Sequence, residues 1–143
     1  MRFLDRLRSS SGQTTLQAVE FPDGEIVAIV GEASYQPAIA AACGSTTWEH
    51  VRCEIDQLAV VPEPSNPYDP NAVAIFIGGQ KVGYLSRGDA LDYQPAMEAL
   101  LHAGYNAGVC RGSIAGRGPG SETKNLGVFL YLADPDKLLV ALS

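Results

Sequence analysis

The chain is poor in the residues that carry metal and redox chemistry, with three cysteines and two histidines among 143 residues. Cys43, Cys53 and Cys110 are odd in number and none forms a C-x-x-C pair, so no disulfide framework is expected. His50 and His102 lack the close spacing that a structural zinc site draws on, and no metal or other cofactor is expected. Long apolar runs are missing too: PAIAAACG and LGVFLYLA fall far short of the roughly 20 residues that span a bilayer. The opening MRFLDRLRSSSGQ has no apolar middle segment or small-residue cleavage site, so it does not read as a secretory signal, and a cytoplasmic location is expected. Positive charge is scarce. Ten Lys and Arg stand against 16 Asp and Glu, a formal net charge of -6, which excludes a protein that coats nucleic acid by neutralising many phosphates. Neither a GxxxxGK phosphate loop nor a GxSxG serine elbow occurs.

What is present suits one globular domain of ordinary composition, 46% apolar and 18% charged, with a polar leader over 1–15 and the domain over 16–143. Charge is unevenly spread. Residues 16–70 hold nine acidic residues and only Arg52, whereas residues 80–125 hold Lys81, Arg87, Arg111, Arg117 and Lys124 against four acids. An anion would meet the second half, together with Arg2, Arg6 and Arg8.

LQAVEF and EIVAIVG flank a PDG turn and read as two short strands. SYQPAIAAACG predicts a short helix with Ser34 as cap, Pro37 in the first turn and Gly44 at the end. In the following strand Val51, Cys53 and Ile55 share one face, and Arg52, Glu54 and Asp56 the other. AVAIFI and KVGYL form a hairpin about Gly78, Gly79 and Gln80. SRGDALDYQPAMEALLHAG predicts a second helix, interrupted or begun at Pro95; NAGVCRGSIAGR and NLGVFLYL predict two strands, and DPDKLLVALS a closing helix. The pattern is β-rich α+β: about six strands with two or three short helices, which a small closed barrel accommodates.

VVPEPSNPYDPNAVAIF, residues 60–76, concentrates four of the nine prolines: Pro62, Pro64, Pro67 and Pro70. Proline fixes its own φ and drives the preceding residue toward extended backbone. Asn66, Tyr68, Asp69 and Asn71 are thereby preorganised, offering amides, a flat phenol and a carboxylate on a loop with little entropy left to lose. Asn and Asp also serve as plain turn formers bonded to their own backbone, and composition alone leaves both readings open.

EPSNPYDPNAVAIF, followed closely by KVGYLSR and preceded by VAIVGEASYQ, resembles the signature of the HIRAN domain over about residues 26–116. The resemblance implies a small OB-like β-barrel that grips the 3′ end of single-stranded DNA in a repair or processing setting, with a helicase or nuclease partner supplying catalysis. It places Tyr68 against a terminal base, Asp69 on the sugar hydroxyl, Asn66 at the pocket wall, Asn71 as a brace and Tyr84 near the nucleotide. Where DNA-binding members carry an arginine and tyrosines, this sequence has Ala33 and Ser34 before Tyr35, and Ser34 and Tyr35 complete the candidate site. GPGSETKN lacks the aromatic that those members bring from the loop before the last strand. Arg87, Arg117 and Lys124 are the phosphate partners that charge suggests. A protein-interaction module that keeps the barrel without the DNA pocket is the alternative.

Tyr93, Tyr105, Tyr131 and Trp48 are expected to pack. Glu63, Asp69 and Asp56 could be imagined as an acid–base or magnesium set, but no spacing selects them. No catalysis by the chain itself is expected.

Overall fold

The structure, a computed structural model, describes residues 7–8, 15–44, 52–116 and 125–143. Arg2, Arg6, Trp48, His50, Arg117, Lys124 and the GPGSETK segment lie outside the described residues, as does the side chain of Arg8.

Alternating apolar and polar positions produce strands β1 (Leu7–Arg8), β2 (Thr15–Leu16), β3 (Ala18–Glu20) and β4 (Glu25–Val30). A 3-10 turn (Glu32–Tyr35) leads into α1 (Gln36–Cys43), followed by β5 (Arg52–Pro62), β6 (Val73–Ile77) and β7 (Gln80–Leu85). Then come α2 (Arg87–Asp92), α3 (Gln94–His102), β8 (Ala107–Gly116), β9 (Leu126–Leu132) and α4 (Pro135–Leu142). The strands run β8-β5-β6-β7-β4-β9 and close through a β9–β8 pairing, every neighbour antiparallel. This is the expected six-stranded barrel in a β-rich α+β domain. Closure removes the open edges that such short strands would otherwise present. β3 is an additional strand, parallel to the first part of β8, while β9 takes the second part. β1 and β2 pair separately.

Leu58, Val60, Val73, Ile75, Val82, Ile114, Val128 and Leu130 are fully buried and belong to one core cluster. Val51 lies outside the described residues; from Arg52 on the expected alternation holds in β5, Arg52, Glu54 and Asp56 being exposed and Cys53 and Ile55 half-buried, until a register shift between Ile55 and Leu58 resets its phase. Met97 of α3 and Leu138 of α4 extend the core. The Tyr93 hydroxyl donates to the Ala133 carbonyl at 2.9 Å inside the protein rather than reaching the surface, and burial pushes its pKa up to about 12.

Three expectations are corrected. The first is the number of helices: the segment 86–104, expected to be interrupted or begun at Pro95, does divide there into α2 and α3, where Tyr93 departs from helical ψ (-2°) and Pro95 cannot donate in the first turn of the second. Four short α-helices therefore replace two or three among the described residues. Ser34 caps nothing: it sits inside the 3-10 turn, and Tyr35 precedes α1 without a side-chain cap. Cys43 and Cys53 form a disulfide between the end of α1 and the start of β5, their Cα atoms 5.8 Å apart. Cys110 remains a buried thiol, its pKa pushed up to about 12 by burial and then by Asp23.

Ser86 links the barrel to α2, its hydroxyl accepting the Asp89 N–H at 3.1 Å. Ser86→Ala is expected to cost about 1 kcal/mol, read as a lower urea midpoint at unchanged m-value.

Candidate nucleic-acid interface

The loop between β5 and β6 folds as two consecutive turns. The Asn66 N–H donates to the Glu63 carbonyl and the Ala72 N–H to the Asp69 carbonyl, each at 3.0 Å. Pro64 and Pro70 occupy the second position of their turns, where a φ locked near -65° is already correct. The Glu63 N–H donates to the Ala72 carbonyl at 2.8 Å and ties the neck. Pro62 ends β5, and Pro67 sits between the turns immediately before Tyr68. The prolines thus fix a double turn.

Asn66 is consumed by that turn. Its Oδ1 accepts the N–H groups of Tyr68 (2.8 Å) and Asp69 (3.1 Å), and its Nδ2 donates to Glu63 Oε1 (2.9 Å). Asp69 is only half consumed: Oδ1 accepts the Asn71 N–H at 2.9 Å, and Oδ2 faces the Arg87 guanidinium at a loose 3.9 Å. Asn71 braces the loop through its backbone. Tyr68 is 93% exposed.

Two open cavities flank that ring. One, of about 520 Å³, is bounded by the Glu63–Tyr68 segment, Lys81 and Tyr84; the other, of about 410 Å³, includes Val30, Asp69, Leu85 and Arg87. They share Asn66, Tyr68 and Tyr84. Ser34 and Tyr35 line neither. Tyr35 packs against the core, and the 3-10 turn that carries both residues lies on β7.

Lys81 and Glu63 are the residues that sequence reasoning did not place in the site. Lys81 Nζ donates to Tyr84 Oη at 2.7 Å and to Glu63 Oε2 at 3.1 Å, and lies 4.8 Å from the centre of the Tyr84 ring. Burial alone would lower the lysine pKa, but the hydrogen bonds to Tyr84 and Glu63 outweigh it and raise it above the ordinary value. A strict period of two would put residues 81 and 84 on opposite faces. A register shift prevents that: Tyr84 pairs with Ala74 and Lys81 with Phe76, leaving one extra residue on β7. Gly83 permits the bulge, at φ 156° and with a Cβ built there only 2.6 Å from the Val30 carbonyl oxygen.

The rest of the surface suits an anion less well. Asp89, Asp92, Asp134 and Asp136 line a cavity beside β4 that no Lys or Arg borders. Asp56 lines another, with Glu20 and Asp23, and so is not brought to Glu63 and Asp69. Arg111 is held by Asp23 at 2.7 Å. Lys81 and Arg87 are the cations of the two cavities at Tyr68.

A family model described as HIRAN domain matches residues 22–117, from before β4 to the residue after β8, more than half of the chain. The chain belongs to the HIRAN domain family. The match is a few residues wider at its start than the resemblance read from the motifs. HIRAN domains are nucleic-acid-binding modules. No curated protein and no solved structure gives a significant match. In this HIRAN domain the double turn, Tyr84 and both cavities all fall within the matched residues. Among the described residues no helix is long and apolar enough to cross a membrane.

Proposed function

We propose that this HIRAN domain binds the 3′ end of single-stranded DNA during repair or processing, in the cytoplasm, and leaves catalysis to a helicase or nuclease partner. Tyr68 and Tyr84 supply stacking faces, Asp69 Oδ2 accepts from the terminal 3′-hydroxyl, and the 88%-exposed Arg87 reaches a phosphate. The observation that carries this reading is the Tyr68 ring, 93% exposed on a turn whose backbone Asn66 fixes, beside an Asp69 oxygen that is only loosely paired. A folded protein gains little from exposing a phenol between two cavities, whereas a base gains a stacking partner without sequence readout. The net charge of -6 favours a second reading, a protein-interaction module.

Anisotropy titrations with a 5′-labelled single strand ending in a 3′-hydroxyl or a 3′-phosphate separate the two. The free end is expected to bind about tenfold more tightly, the scale of one charge-assisted hydrogen bond. Asp69→Asn keeps an oxygen for the Asn71 N–H while removing the charge, and should abolish the preference. Equal affinity for the two ends would refute end recognition, and no binding to either leaves the protein-interaction module.

A further inference from the structure

Once Tyr68, Tyr84 and Asp69 have their roles, the Lys81–Glu63 pair is left over. The pair is neither a free surface charge nor a sealed core contact, the two side chains being 27% and 24% exposed. The ammonium gives one N–H to Tyr84 and one to Glu63, so its third donor has no acceptor among the described residues. Glu63 uses its second oxygen for Asn66, so releasing Lys81 would leave the loop intact. A partly exposed ion pair adds little net stability and is readily exchanged for a stronger acceptor. The β7 bulge at Gly83 is what turns Lys81 onto the face of Tyr84.

The two cavities meet at the Tyr68 ridge, with Asp69 and Arg87 on one side and Glu63 and Lys81 on the other. On the end-binding reading, a strand ending on Asp69 and stacked on Tyr68 has the second cavity, with Lys81, across that ridge for its preceding phosphate. We infer that Lys81 contacts the phosphate preceding the terminal nucleotide, and that Glu63 is the resting counter-ion this phosphate displaces. The inference rests on the end-binding reading and adds to it a built cation site whose occupant at rest is a carboxylate. Such an arrangement lets an acidic protein present one cation to a strand without offering a basic surface to nucleic acid at large.

The test is a salt series of anisotropy titrations using a short 5′-labelled oligothymidylate with a free 3′-hydroxyl. Lys81→Met is expected to weaken binding about tenfold at low salt. It should also reduce the slope of log K against log salt by about 0.7, the loss of one phosphate contact on a single strand. Replacing the last internucleotide phosphate by a neutral methylphosphonate should weaken the wild type similarly and leave Lys81→Met unchanged, since both remove one contact. Lys81→Arg should restore the slope, which a purely structural role for the lysine stem would not require. Glu63→Gln, which retains an oxygen for Asn66, should bind more tightly than the wild type.

A wild-type slope in Lys81→Met, or a full methylphosphonate penalty in that variant, overturns the phosphate contact while the free-end preference stands. Weaker binding by Glu63→Gln overturns the counter-ion role. Absence of any end preference in the wild type sinks the underlying reading and this inference with it.

Discussion

If the proposed end binding holds, Tyr68→Ala is expected to lower affinity for a single-stranded DNA end about thirtyfold and to leave thermal stability unchanged. The binding term is about 2 kcal/mol, the middle of the range for one base stacked on an aromatic ring. The stability term is near zero because the side chain is 93% exposed and so removes little apolar area from water. The turn itself survives the substitution, since Tyr68 contributes to it through its backbone N–H, donated to Asn66 Oδ1 at 2.8 Å. Tyr68→Phe retains the ring and should bind like the wild type. Anisotropy titration and calorimetry on the same samples check both halves. A parallel fall in affinity and melting temperature would mean that the ring serves the fold, and an unchanged affinity would mean that the ligand lies elsewhere.

The loop declared itself in the sequence because its signal is local. Pro64 and Pro70 fix their turns within four residues, and Asn66 bonds Tyr68 and Asp69, two and three positions away. Composition alone left turn former and binding group open, and the structure shows which side-chain groups the turn uses and which it leaves over. Asn66 spends its side-chain bonds on the turn while lining both cavities, Tyr68 is presented to solvent, and Asp69 is split between Asn71 and Arg87. Lys81 and Glu63 stayed hidden for a definite reason. They are 18 residues apart, and their meeting depends on a bulge that reverses the face on which residue 81 lies. A pattern read at period two assigns Lys81 to the wrong side. The glycine in KVGYL was the available clue, because a glycine inside a strand often marks a bulge.

The strands were legible for similar reasons. Gly78 and Gly79, both at positive φ (57° and 82°), announce the β6–β7 turn, and β5 shows its alternation until the bulge after Ile55. Strand order was not legible. The closing β8–β9 pairing joins residues on either side of a glycine-rich segment, while β3 reaches β8 across some ninety positions, through pairs such as Ala18 and Ala107. Propensity carries no information about such partners; they follow from which faces are buried together.

The disulfide escaped for the same reason and has the largest expected effect on stability. Cys43 and Cys53 are ten residues apart, a spacing that matches no motif, and they meet where the end of α1 comes up to the start of β5. By loop-closure entropy a cross-link of that span stabilises by about 3 kcal/mol. The Cys43→Ser/Cys53→Ser double variant should therefore melt about 10 °C lower in calorimetry. Thiol titration supplies an independent check. Unreduced protein should show no reactive thiol while folded, because Cys110 is buried with its pKa pushed up to about 12. It should show one thiol on unfolding and three after reduction. Three thiols without reduction, together with an unchanged melting point in the double variant, would remove the cross-link from the account of the fold. Reducing compartments keep such pairs as thiols, so the same count on protein trapped by alkylation at the moment of lysis also tests the cytoplasmic placement: a bonded pair there argues for an oxidising setting.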